Sequence, residues 1–142
     1  MKAQIDKPSL TIAFERLIEA SREDVFDAWT KPEQVSEWWD PNGDRLAACE
    51  IDLRVGGTFR FVNHAHGPGF SGTYTEIQRP SHLAFDAFGA FGKVLLDSVD
   101  GQTRMRVTIR CVSSEQLEQF VQSGVADGTD RTLDNLVRKF AR

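Results

Sequence analysis

Several things are scarce in this chain of 142 residues. It has two cysteines, Cys49 and Cys111, with no CxxC spacing, and both fall in strand-like apolar segments. Two reduced, buried thiols are therefore expected, not a disulfide framework or a thiol-rich zinc site. It has no excess of positive charge: the formal net charge is −4. That provides no broad attraction to nucleic acid or to an anionic membrane, and neither is expected as a partner. It has no apolar run of membrane-spanning length, and MKAQIDKPSL lacks the apolar core of a signal peptide. A cytoplasmic location is the expectation. There is no repeat, low-complexity tract or linker, so residues 1–142 are read as one domain.

Histidine is also scarce. His64-Ala65-His66 is an HxH in a glycine-rich stretch, and His82 is the only other histidine. Zinc needs three or four ligands at a defined geometry, and nothing in the spacing provides them. No metal and no cofactor is expected. Gly56-Gly57 lacks the lysine and helix start of a phosphate loop, and no GxSxG elbow marks a nucleophile.

What is present is a clear change of period. Residues 10–18 read as a first strand. Ser21 is a helix N-cap for 22–30, where Val25, Phe26 and Trp29 form an apolar stripe. Lys31-Pro32 ends that helix, and Pro32 starts a second short one carrying Val35, Trp38 and Trp39. From residue 45 the period is two: LAACEIDL, TFRFVN, GTYTEI, HLAFDAF, KVLLDSV and TRMRVTIRC read as strands. Gly56-Gly57, Gly67-Pro68-Gly69, Arg79-Pro80 and residues 89–92 read as the turns between them. In 103–111, Met105, Val107, Ile109 and Cys111 share one face, and Arg104, Arg106, Thr108 and Arg110 the other. That is the mark of an antiparallel sheet with one buried face. The arginine stripe reads as a solvated outer face with acidic cross-strand partners. Glu50 and Asp52 read as outward too, with Asp52 pairing Arg54 or holding the Gly56-Gly57 turn. After Ser113 the helical period returns, with a short helix to about 123 and a longer one beyond. Gly124 and Gly128 are each costly inside a helix, by about 1 kcal/mol relative to alanine. The pattern is α+β: a curved antiparallel sheet of about six or seven strands, two short helices after the first strand, and a terminal amphipathic helix packed into the sheet.

Ala20-Ser21, VFDAWTKPEQVSEWW, CEIDLRVGGTFRF, GTYTEI followed by Pro80 and LAF, and TRMRVTI stand in this order across residues 10–140. Together they resemble the START-like helix-grip superfamily (SRPBCC), and within it the bacterial group named for similarity to activators of the Hsp-90 ATPase. The chain departs from that group in having Ala20-Ser21 where Ala-Pro is usual, and Thr129 where an aromatic commonly follows the glycine matching Gly128. The resemblance implies a sheet wrapped round the C-terminal helix, with a cavity between them.

The aromatics are the informative set for function. Phe59 and Phe61, with Asn63, share one strand face; Tyr74 and Phe85 stand on the inner faces of the next strands; Met105 and Val107 continue that interior. Phe120 lies on the helical stripe, and Gly124 and Gly128 remove volume from a helix that would otherwise plug the sheet. Mostly apolar walls with a few polar groups suit a small apolar or amphipathic ligand, while aromatic strand faces by themselves read as a filled core; the resemblance, which implies a cavity, favours the ligand. Adjacent helical residues point about 100° apart, so Trp38 and Trp39 cannot be buried alike. Val35 and Trp38, three apart, share a face. Trp38 and Trp39 are both candidate ligand-binding residues, with Trp39 favoured as the cavity-side one and Trp38 as the anchor. The alternative is that both anchor the short helix, and Trp29 is placed on the core side of the first helix. Trp39 could also meet a second copy of the chain in a homodimer. The leading functional reading is a carrier or sensor of a small ligand. The alternative is a cyclase- or aromatase-like enzyme in the same cavity, with Asn63, Tyr74 and Arg16 as its polar groups. A chaperone-interaction module is third.

Overall fold

The computed structural model describes residues 2–64 and 69–141. Its elements are β1 (Gln4–Asp6), β2 (Thr11–Ile18), α1 (Arg22–Thr30), α2 (Pro32–Trp38), β3 (Ala48–Ile51), β4 (Thr58–Val62), β5 (Phe70–Gln78), β6 (His82–Ala87), β7 (Ala90–Val99), β8 (Gln102–Arg110), α3 (Ser114–Gln122) and α4 (Val125–Phe140). The eight strands form one antiparallel sheet in the order β1-β2-β8-β7-β6-β5-β4-β3. The α+β helix-grip architecture is as the sequence indicates, with one more strand than the six or seven expected. The addition is β1, whose three polar-to-apolar residues carry no alternation that could be read.

The register makes one face continuous. Phe14 pairs with Val107, Val107 with Val94, Val94 with Leu83, and farther along Tyr74 pairs with Phe85 and Phe59 with Gly72. Each of these side chains points to the face that α4 covers, while Arg104, Arg106 and Arg110 stand exposed on the other. Arg106 pairs with Asp97 across the outer face at 2.8 Å. Glu50 likewise pairs with Arg60 at 3.4 Å, and Asp52 with Arg54 at 2.9 Å.

Two hairpins are closed by tight turns whose central residues both have positive φ. Asp100 and Gly101 stand at 52° and 81°, Phe88 and Gly89 at 54° and 78°. Turns of this hand match the twist of the flanking strands. The second one corrects an expectation. Residues 89–92 read as a four-residue turn, but Ala90, Phe91 and Gly92 belong to β7. A phenylalanine at a left-handed turn position hid the boundary, since asparagine or glycine is the usual signal there.

Helix ends are set by local chemistry. Ser21 accepts from the Asp24 N–H at 3.2 Å, and Ser113 from the Gln116 N–H at 3.1 Å. Pro32 opens α2. Gly124, at φ 87°, separates α3 from α4. A β-carbon there would meet nothing, so the backbone angle alone calls for glycine. Both cysteines are free thiols, Cys111 buried and Cys49 only half-buried, and burial raises the pKa of each. No helix among the described residues is long and apolar enough to cross a membrane.

Two anchors hold the helices on the sheet. Leu133 and Leu136 of α4 are fully buried, at about 1.5–3 kcal/mol each. Beside them Arg16 of β2, 5% exposed, donates to Asp130 at 2.8 Å, Asp134 at 3.0 Å and the Glu15 carbonyl at 3.0 Å. Asp130 in turn accepts from the Ala3 N–H at 3.0 Å. The second anchor is Trp38, 1% exposed, whose indole N–H donates to the Ala28 carbonyl at 2.9 Å and ties α2 to α1.

Removing Arg16 leaves Asp130 with its charge uncompensated. Arg16→Met is expected to cost about 3 kcal/mol in urea unfolding. Arg106→Ala, which breaks only an exposed pair, is expected to cost under about 1 kcal/mol. Trp38→Phe loses packing and strands a buried carbonyl, for an expected loss of roughly 1–3 kcal/mol in the same measurement.

Candidate functional site

Between the sheet and the N-terminal half of α4 lies a cavity of about 370 Å³. Its floor is Phe85, Gly92, Val107 and Ile109 of the sheet. One wall is Trp29 and Trp39, another Phe120 of α3, and the roof is Val125, Gly128, Thr129, Thr132 and Leu133 of α4. Phe88 and Phe91 of the β6–β7 hairpin also line it. Phe88 is 61% exposed despite being apolar, so it forms a rim, and the Arg110 guanidinium lies 4.9 Å from the Phe91 ring.

Two glycines explain why there is space. Gly92 stands directly across from Phe85, and a β-carbon on it would overlap the Phe85 ring. The ring therefore lies down against the strand. Gly128 faces the opposite way: a β-carbon there would meet no atom within 4 Å. Any side chain at 128 would have open space to grow into.

The expected site residues divide into two groups. Trp39, Asn63, Phe85, Val107, Phe120 and Gly128 line the cavity. Trp38, Phe59, Phe61, Tyr74, Met105 and Gly124 do not. Phe59, Phe61 and Tyr74 pack with Phe70 and Phe85 into an aromatic cluster whose ring centroids are 5.1–5.6 Å from Phe59. The space left among them is about 10 Å³, room for a single water at most. Met105 is fully buried beneath Trp29, whose indole N–H reaches its sulfur at 3.4 Å. Trp29, expected on the core side, does both: it packs on Met105 and forms part of the cavity wall. Burial, and after it the neighbouring Cys49, pushes the Tyr74 phenol well above its ordinary pKa. Arg16 is held in its ion pairs and does not line the cavity.

Ile109, placed on the buried face by the alternation of 103–111, and Thr129, beside Gly128, also line the cavity, and so do Thr132, Phe88 and Phe91, which the sequence did not mark. The HxH motif extends outside the described residues. His64 is exposed, and the His82 ring nitrogen Nδ1 is 2.8 Å from the Ser81 hydroxyl. Among the described residues no three metal-ligating side chains cluster.

The polar end of the cavity is set by α2 and α4 together. Thr132 donates to the Trp39 carbonyl at 3.1 Å, and Asn135 to the Asp40 carbonyl at 2.9 Å. Asp40, 5% exposed, accepts from Asn63 Nδ2 at 2.6 Å and from the Asn42 N–H at 2.7 Å. Among the described residues no titratable side chain lines the cavity.

Solved structures share this architecture. The protein Ms6760 of Mycobacterium smegmatis is similar over 97% of this chain and 95% of its own, with a TM-score of 0.84 at 18% identity. An AHSA1-like protein of Aeromonas hydrophila is similar over 90% of both chains, with a TM-score of 0.74 at 29% identity. CalU16 of Micromonospora echinospora is similar over 89% of this chain and 73% of its own, with a TM-score of 0.64 at 21% identity. No curated protein matches the chain. The model of the family described as "Activator of Hsp90 ATPase homolog 1-like protein" matches residues 19–141. With nearly the whole chain so matched, the protein belongs to the Activator of Hsp90 ATPase homolog 1-like family.

Proposed function

We propose that this protein binds a small apolar or amphipathic molecule between the sheet and α4, as a carrier or a sensor. The observation that supports it is an apolar, aromatic-walled cavity of about 370 Å³, within the roughly 300–1,000 Å³ usual for ligand sites. The sequence also leaves that space open at a cost. Gly128 stands inside α4, where glycine is disfavoured by about 1 kcal/mol, and no neighbour requires it to lack a side chain. A site kept empty against local stability fits a ligand better than a packing accident.

A cyclase-like reaction would need a group that moves protons. Of the three polar groups that the sequence offered, Tyr74 is packed away, Arg16 is ion-paired, and Asn63 does not titrate. The family description names a chaperone activator, but among the described residues no surface feature specifies a chaperone partner.

Native mass spectrometry of the protein from its host tests the proposal. A bound small molecule is the expected result. A bare chain that also takes up no apolar probe would overturn the proposal. Gly128 sharpens the test. Gly128→Ala is expected to raise stability by about 1 kcal/mol in chemical unfolding. Gly128→Leu should keep the fold, fill the cavity and lose the bound mass; retention of the same adduct would place the ligand elsewhere. Trp39→Phe should cost less stability than Trp38→Phe in parallel melts, yet be the one of the two that changes ligand affinity.

A further inference from the structure

The polar end of the cavity is built from groups oriented by the hydrogen bonds they already donate. Asp40 uses both carboxylate oxygens: Oδ1 accepts from the Asn42 N–H, and Oδ2 from the side chain of Asn63. A carboxylate only accepts, so Asn63 must present its amide nitrogen to Asp40. This settles the orientation of an amide whose two ends are otherwise alike in shape. The other end, Oδ1, is what remains for the cavity that Asn63 lines. Thr132 follows the same logic. Its hydroxyl proton goes to the Trp39 carbonyl, so lone pairs are what it has left to offer. Two lining groups at this end thus offer acceptors, and among the described residues no charged side chain lines the cavity itself.

We propose that Asn63, oriented by Asp40, selects ligands that are neutral and whose polar end donates a hydrogen bond, such as a phenol or an alcohol. A ligand of the same shape whose polar end can only accept is disfavoured. The inference rests on the cavity-binding reading and adds a chemical class to it. Asn63 is the contact residue. Asp40 touches no ligand and is a positioning residue.

The test compares 4-phenylphenol with 4-methoxybiphenyl, two probes of similar shape that differ in the donor proton, by isothermal titration calorimetry. The wild-type protein should bind the phenol about 3- to 10-fold more tightly, the range for one neutral hydrogen bond. Asn63→Leu should bring the ratio to about one. Asp40→Asn is more specific. The Asn42 N–H still needs an acceptor, so the new amide must turn its oxygen there and its nitrogen toward Asn63. Asn63 then rotates, its own nitrogen faces the cavity, and the preference should reverse toward the ether. A purely structural role for Asp40 would weaken both probes alike and leave the ratio unchanged. If Asn63→Leu does not fold, the wild-type ratio and Asp40→Asn carry the test. Equal wild-type affinities, or a phenol preference that survives either substitution, would overturn this inference and leave ligand binding intact. Failure of the wild-type protein to bind either probe would overturn the cavity reading and this inference with it.

Discussion

The last carbonyls of a helix have no partner within it, and a buried helix end must find donors elsewhere. In this protein α4 supplies them to α2. Thr132 and Asn135 reach the carbonyls of Trp39 and Asp40, and a longer contact of 3.4 Å runs from Asn135 to Trp38. A seven-residue helix is too short to persist unaided. Its shape is therefore decided by the helix that arrives about a hundred residues later. Trp39 takes its place in the cavity wall through the same bonds, and Asp40 its place beside Asn63. Where α4 lies thus bears on where Thr132, Asp40 and Asn63 lie, and the Arg16 pairs help to hold α4.

The same helix both closes the core and leaves it incomplete. Its C-terminal half packs Leu133 and Leu136 into the sheet, and its N-terminal half brings Val125, Gly128 and Thr129 over empty space. On the sheet side Gly92 lets Phe85 lie flat. Large rings surround the cavity without filling it because two backbone positions, one on each side, carry no side chain. The aromatic cluster around Phe59 shows the contrast: similar residues on the same sheet face, close-packed, with only about 10 Å³ between them.

Much of this was legible in the sequence. Period-two runs gave the strand faces, Ser21, Pro32 and Ser113 gave the helix starts, and Gly124 marked the break between α3 and α4. The spacing of Val35 and Trp38 separated the buried Trp38 from Trp39, which borders the cavity. Depth within a face was not legible. Alternation places Phe61 and Phe85 on one side of the sheet, but whether a ring borders space depends on what lies opposite, and that comes from distant chain. The Arg16 pairs with Asp130 and Asp134 span 114 and 118 residues and leave no local trace. The three-residue β1 is too short to show a period, and Phe88 carries none of the composition of the turn it forms.

All three tryptophans of the chain meet at one point. Trp29 and Trp38 stand 4.8 Å apart between ring centroids, Trp38 and Trp39 5.6 Å, and Trp29 and Trp39 6.4 Å, each pair edge to face. The chain has a single tyrosine besides. The ultraviolet emission of the protein therefore issues mainly from one cluster of rings, and two of its three indoles border the cavity. In most proteins intrinsic fluorescence averages over scattered sites and reports unfolding. Here it is a local spectroscopic probe, native to the molecule and needing no label, of whatever occupies the space between the sheet and its last helix.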